Sequence, residues 1–341
     1  YIEKLKSWGV PTNSQTQICS SSDEIKSAFK TISDMRAKLD YDIDGVVYKV
    51  NSVLQQVKIG SQSKAPKWAI AHKFRAERAI TVIEKIDIQV GRTGALTPVG
   101  RLQPINVGGV LVSNVSLHNE SEVIRKDIRE GDAVIIQRAG DVIPQVIEVI
   151  KNKRSNESKP FVFPINCPEC QSQAVCEENE IIRRCTGGLM CPAQVVERLK
   201  HFVSRNAFDI EGLGKNTIDE FYVQKLIGSP VDVFTLEARD GLPKNLKPIR
   251  NRPGWGKISV LKLFKSINER RIITLDRFLY ALGIRHLGQE STKLIAREYK
   301  SIDTLLNQVK GAVKDGSKEY KKLCQIKGIG ETIAQGMIRF F

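Results

Sequence analysis

Long apolar runs are missing from this chain. No window of about 18 uncharged apolar residues occurs, so no membrane-spanning helix is expected. The opening, YIEKLKSWGV, lacks the plan of a secretory leader. It also lacks an initiating Met, which points to a fragment or a processed chain. Cysteine is sparse: there are seven in 341 residues, and four of them fall between positions 167 and 191. An odd count with one dense cluster argues against a disulfide framework and for a metal site in a reducing compartment. What remains is a cytoplasmic, soluble, globular protein, in keeping with 41% apolar and 27% charged residues. The length suffices for about two to three domains with real cores.

Acidic residues are outnumbered, and unevenly so. Residues 200–341 carry 26 Lys and Arg against 15 Asp and Glu, a net +11 of the chain's +15. A basic C-terminal part suggests a polyanionic partner such as nucleic acid.

Along the chain, SSSDEIKSAFKTISDMRAKL reads as a helix capped by Ser22 or Asp23, with Ile25, Phe29, Ile32 and Met35 at helical spacing. Two short β patterns follow, at 43–50 and 67–75. Residues 79–150 alternate short β runs with glycine and proline punctuation, which suggests a small barrel or sandwich. The polar stretch KNKRSNESKP, 151–160, reads as a linker or exposed loop. From about 193 the pattern is helical and punctuated by glycine.

Cys167, Cys170, Cys185 and Cys191 are spaced C-x2-C-x14-C-x5-C. Two residues between the first pair let both thiolates reach one ion from a tight knuckle, and a longer loop brings the second pair round to close a tetrahedron. Four Cys ligands leave no open position, so a Zn2+ there is structural. Gly187 and Gly188 fall where the second pair needs a tight turn, and Cys176 is a bystander.

Four windows repeat: GLGKNTIDEF from Gly212, GWGKISVLKL from Gly254, HLGQESTKLI from His286 and GIGETIAQGM from Gly328. Their second glycines are Gly214, Gly256, Gly288 and Gly330, and seven residues after each stands Phe221, Leu263, Ile295 or Met337. The pattern predicts helix, tight turn, helix, with the second helix burying that apolar residue. Amides exposed at its start would bind a phosphate, and glycine would admit a close approach. Lys215 and Lys257 follow two of the turns, whereas Gln289 and Glu331 follow the others. A helical bundle whose glycines only make turns is the simpler alternative.

In their order, these features resemble the bacterial NAD-dependent DNA ligases over the whole chain. DIDGVVYKVN is similar to that family's fourth nucleotidyltransferase motif, KWAIAHKF to its fifth, and VGRTGALTPVG to its oligonucleotide-binding barrel. The four cysteines and four helix-hairpin-helix units follow in family order. The resemblance implies a multidomain α+β chain: the C-terminal part of a nucleotidyltransferase (adenylation) domain over 1–78, an OB-fold β-barrel over 79–152, a four-cysteine zinc module over 165–192 and a helix-hairpin-helix DNA-binding domain over 193–341. It implies nick sealing in duplex DNA during replication and repair, in three steps through enzyme-AMP and DNA-adenylate intermediates, with NAD and Mg2+ or Mn2+ as cofactors. A monomer in the bacterial cytoplasm, associated with the nucleoid, goes with that activity. By the same resemblance Val47 packs on adenine, Lys49 contacts the nucleotide and Lys73 meets the AMP phosphate. Asp44 is a metal or nick contact, and Arg36 is an arginine of the site. Gly212, Gly214, Lys215, Gly254, Gly256, Lys257, Gly288, Gly328 and Gly330 are the candidate DNA contacts.

The family's nucleophile sits in Lys-x-Asp-Gly, which this sequence lacks. Asp42, Ala238 and Val313 stand two positions before its three Asp-Gly pairs. The expectation is a truncated ligase, without the upstream catalytic lysine, the N-terminal domain that captures the nicotinamide half of NAD or the C-terminal BRCT domain. The alternative is a non-catalytic zinc and hairpin DNA-binding protein. Incubated with radiolabelled NAD, this chain is expected to acquire no covalent adenylate, and a labelled band at its mass would overturn that reading of the missing motif.

Overall fold

The computed structural model describes all residues except 1, 42, 63–64, 109, 139–143, 178–179, 243–246 and 315. The first residue of the DIDGVVYKVN motif and part of the 133–150 β stretch therefore lie outside the described residues. The chain divides into two compact units, one of Tyr1–Asp87, Val99–His118 and Glu122–Phe161, the other of Ile88–Pro98, Asn119–Ser121 and Val162–Phe341.

The first unit opens with α1 (Ile2–Ser7) and α2 (Ser22–Met35). Ser21, not Ser22 or Asp23, caps α2: its side chain accepts from the Glu24 amide, while the Glu24 carboxylate accepts from the Ser20 amide. That reciprocal bond selects one residue from a run of serines with equal capping chemistry. Strand β1 (Gly45–Lys49), helix α3 (Val53–Ile59) and strand β2 (Ala69–Lys73) follow, with β1 and β2 paired antiparallel. Helix α3 was not anticipated. Its Val53, Leu54 and Val57 are exposed, so it shows no buried apolar stripe.

Five strands then close into a barrel in the order β3-β4-β5-β7-β6: β3 (Glu77–Val90), β4 (Leu96–Val107), β5 (Val110–Ser116), β6 (Ala133–Arg138) and β7 (Gln145–Val149). Helix α4 (Glu120–Lys126) comes between β5 and β6. Closure removes the unpaired edges that an open sheet of these apolar strands would expose. Ile83, Leu102, Val115, Val134 and Ile136 fill the interior. At Gly100 a Cβ would stand 3.0 Å from Val115 Cγ1, so the strand approaches its neighbour where a side chain would crowd.

The 151–160 stretch is not a free linker. Arg154 donates to the buried carboxylate of Asp132 through Nε and Nη2, both at 2.8 Å, and also pairs with Asp127. Arg129 Nε donates to Asp127 Oδ1 at 2.9 Å and its Nη1 to the Ser158 carbonyl at 2.7 Å. The polar composition that reads as a solvated loop serves a charge network fastened to the barrel.

The second unit begins with the outer ends of β3 and β4 and a small ribbon, β8 (Ala174–Val175) with β9 (Arg184–Cys185). Among the described residues nine helices follow: α5 (Pro192–Val203), α6 (Lys215–Val223), α7 (Pro230–Asp240), α8 (Lys257–Glu269), α9 (Leu275–Ala281), α10 (Gln289–Tyr299), α11 (Ile302–Gly311), α12 (Lys318–Gln325) and α13 (Glu331–Phe340). They bury two cores. One gathers Leu199, Phe202, Phe221, Leu236 and Leu263, and the other Leu279, Ile295, Leu305, Leu323 and Met337.

Asp132 is 1% exposed, so removing Arg154 leaves a buried carboxylate short of its cation. Arg154→Ala is expected to destabilise the first unit by about 3 kcal/mol. Hydrogen bonds from Arg129 and Arg154 hold the Asp127 carboxyl down to about 2. A carboxyl depressed below its unfolded value of about 3.9 contributes stability that is full above that pH and is lost as pH falls through the folded value. Acid denaturation followed by circular dichroism should therefore show a loss between about pH 4 and pH 2 that is shallower in Arg154→Ala.

Candidate nucleotide face, metal centre and hairpin turns

In the β1–β2 ribbon, Val47 stands opposite Ala71, Lys49 opposite Ala69 and Gly45 opposite Lys73. Paired residues share a face. One face therefore carries Val47, Ala69 and Ala71 with Lys49 and Lys73 at its opposite ends. Val47 is 54% exposed, unusual for a valine within a paired strand. The other face carries Tyr48 and His72, with α2 against it. Phe29 stacks on His72 with ring centroids 3.9 Å apart, and Tyr48 Oη lies 2.9 Å from His72 Nδ1. One side of the ribbon is thus partly covered by α2, and the other bears the apolar patch between two lysines.

Lys73 is ion-paired with Asp44, and its hydrogen bond holds the Asp44 carboxyl below the usual range. Arg36, at the C-terminal cap of α2, pairs with Glu77 at 3.1 Å and lies 5.5 Å from the Phe74 ring centre. Arg36 and Asp44 line a hollow of about 440 Å³ together with Phe74, Arg75, Glu77 and Arg138. Val47, Lys49 and Lys73 do not line it. The structure thus separates the five sequence candidates into an open face and an adjoining hollow, joined through the Lys73–Asp44 pair. Glu77 and Arg138 were missed, since neither belongs to a local motif and both reach the hollow from the barrel.

The Sγ atoms of Cys167, Cys170, Cys185 and Cys191 lie within 4.8 Å of one another. The Cys170–Cys185 and Cys167–Cys191 separations are 3.4 and 4.0 Å. Tetrahedral Zn–S arms of about 2.3 Å require edges of about 3.8 Å, so the donor set fits zinc. The backbone forms the knuckle the spacing demands: the Gln171 amide donates to the Cys167 carbonyl at 2.9 Å, with Gln171 at a φ of 60°. A Cβ on Gly187 would stand 2.8 Å from Cys170 Sγ. Burial pushes the Cys185 thiol up to about 12 and raises Cys191, while hydrogen bonds from Ser172 draw Cys170 down to about 6. All four can ionise together only around a cation. Cys176 is exposed and donates to the Glu180 carbonyl.

Each of the four repeated windows starts a helix directly after its second glycine: Gly214, Gly256, Gly288 and Gly330 are the N-caps of α6, α8, α10 and α13. The residues seven positions on, Phe221, Leu263, Ile295 and Met337, are all buried. The first position of each turn has positive φ: 93° at Gly212, 78° at Gly254, 64° at His286 and 95° at Gly328. That conformation calls for glycine, and His286 adopts it nonetheless. The second glycines differ. Their φ values of −69°, −139°, −86° and −91° suit any residue, and a Cβ on any of them would meet nothing within 4 Å. Lys215 and Lys257 are exposed at the first positions of α6 and α8.

Family profiles match in series: NAD-dependent DNA ligase adenylation domain over residues 1–77, NAD-dependent DNA ligase OB-fold domain over 80–158, NAD-dependent DNA ligase C4 zinc finger domain over 166–193 and helix-hairpin-helix motif over 277–341. Proteins named DNA ligase from Rhodospirillum rubrum, Beijerinckia indica and Xanthobacter autotrophicus are 52%, 51% and 50% identical to it, each over 100% of this chain. The chain spans 49% of the length of each of these relatives. Three ligase-specific domains in unbroken order, with half of all residues identical along the full chain, mean that this protein belongs to the family of NAD-dependent DNA ligases.

Proposed function

We propose that this chain holds nicked duplex DNA and the adenosine half of NAD for a ligase that joins 5′-phosphate to 3′-hydroxyl ends in replication and repair. The observation that carries the DNA reading is the open space around the second glycines. Among the described residues nothing requires glycine at 214, 256, 288 or 330, whereas a phosphate brought against the helix amides does. Lys215 and Lys257 add a second argument. A cation at a helix N-terminus opposes the helix dipole, so its placement favours an external anion. Contacts of this kind ignore base identity, as a general nick sealer requires.

On the open face of β1–β2, Val47 and the two alanines offer an apolar platform for a base, with Lys49 and Lys73 positioned for phosphate. A nucleotide phosphate would replace Asp44 as the partner of Lys73, leaving Asp44 free for Mg2+ or Mn2+. Arg36 would exchange Glu77 for phosphate in the same way. The protein acts as a monomer in the cytoplasm, at the nucleoid.

Gly214→Ser and Gly256→Ser separate folding from binding, because serine is a good N-cap at these φ values. Thermal stability should hold or rise, while affinity for a nicked duplex falls at least about tenfold, given the charge-assisted bonds lost. Unchanged affinity would reduce the glycines to turn formers. Parent affinity should fall steeply with salt, since each neutralised phosphate contributes a slope of about 0.9.

Atomic absorption should find one zinc per chain, retained in Cys176→Ser and lost in Cys167→Ser. Chelation should lower the melting temperature, and zinc affinity should weaken as pH falls because the thiols must shed protons to bind. A protein without zinc at neutral pH would rule the metal centre out.

A further inference from the structure

The stretch that leads into the fourth hairpin turn is rich in lysine. Residues 310–327 contain six lysines, Lys310, Lys314, Lys318, Lys321, Lys322 and Lys327, against Asp315 and Glu319, a net +4 of the chain's +15. On α12, Lys318, Lys321, Lys322 and Gln325 are exposed, while Leu323 is buried and Glu319, Tyr320 and Cys324 are half-buried. At 3.6 residues per turn the three lysines occupy an arc of about 100°. The carboxylate-bearing residue on this helix is turned away from them: a Cβ on Gly311 of α11 would stand 2.6 Å from Glu319 Cγ. None of the six lysines forms an ion pair among the described residues.

Several cations elsewhere in the helical part are tied up inside the protein. Arg198 donates to the Arg92 carbonyl at 3.1 Å, Lys200 pairs with Glu197 at 2.9 Å and Asp219 at 2.8 Å, and Arg270 holds Asp209 at 2.8 Å. Arg277 donates to the Ala207 carbonyl at 2.8 Å. The row on α12 is, by contrast, unfavourable for the chain itself. Lys318 begins the helix, against its dipole, and repels Lys321 and Lys322 at the i+3 and i+4 positions. The row continues through Lys327 directly into the turn at Gly328.

We propose that the exposed face of α12 is a phosphate-tracking surface, which extends the fourth repeat's grip along the duplex beyond the Gly328–Gly330 turn. This inference rests on the DNA-binding reading above. It makes the fourth repeat, whose turn is followed by Glu331 and not by lysine, bind chiefly through its leading helix.

The test uses the full chain, a fluorescent nicked duplex and anisotropy titrations at several KCl concentrations. The triple variant Lys318→Gln, Lys321→Gln, Lys322→Gln is compared with the parent and with a charge-matched control, Lys4→Gln, Lys6→Gln, Lys30→Gln. All six positions are exposed, so folding should be unaffected, which circular dichroism checks. The α12 variant should lower the salt slope of log Kd by about 2 to 3 and the control by less than about 1. Equal reductions would make the effect one of net charge and overturn the surface. An unchanged slope in the α12 variant would also overturn it, including the case in which the row serves an acidic protein. A parent that binds the duplex without salt dependence would remove the DNA-binding reading itself.

Discussion

Four thiolates cannot share a space a few ångströms across without a cation, and the second unit is arranged around that requirement. Cys185 and Cys191 are also backbone junctions. The Cys185 amide donates to the Gly94 carbonyl at 2.8 Å, which fastens the tip of the β3–β4 hairpin to the metal knuckle. A Cβ on Gly94 would meet the Cys185 carbonyl oxygen at 2.6 Å, so this approach needs glycine. Cys191 is the N-cap of α5, and Pro192 opens that helix. Helix α5 then supplies Leu199, Phe202 and Val203 to the core that also holds Phe221 and Leu263. The metal therefore fixes the start of the helix on which the first two hairpins pack, although it lies outside every turn.

The hairpins pack in pairs. The Gly212 turn sits against Leu263 of α8, and the Gly328 turn against Leu294 of α10, at 3.3 and 3.0 Å from where a Cβ would be. First-position glycines are thus explained from within, by positive φ and, in two turns, by close packing. Second-position glycines have no internal cause. Within one short motif, internally constrained and unconstrained positions alternate, with Leu213, Leu287 and Ile329 buried between them as anchors in three of the turns.

The sequence announced what local chemistry controls. Helix starts after Gly214, Gly256, Gly288 and Gly330 were legible because an N-cap and the buried residue seven positions later lie on one helix. The cysteine cluster was legible because ligand spacing is itself a geometric statement. Contacts made at long range were not. Arg154 lies in a stretch whose composition reads as solvent-exposed, yet its partners Asp127 and Asp132 come from the turn before β6. Glu77 opens a barrel strand, and nothing near it in sequence announces Arg36 as its partner. No periodicity records such pairings, because each charge satisfies its local rule of being polar and outward until the fold supplies its partner.

The candidate nucleotide face shows the same economy of charge. Lys73 and Arg36 are each held by a carboxylate, Asp44 and Glu77. Both pairs are partly exposed to water, so each is worth little on its own and can be exchanged at small cost. A pair with a buried carboxylate resists exchange, because removing the cation strands the other charge. Arg154 and Asp132 in the barrel are such a pair, and they fasten the chain. The difference between a pair that fastens the fold and one that can be exchanged is therefore one of depth. Where the carboxylate is sealed, as Asp132 is, the pair maintains the fold. Where both partners reach solvent, as at Lys73 and Asp44, the cation is left available for an anion that binds better than a carboxylate does.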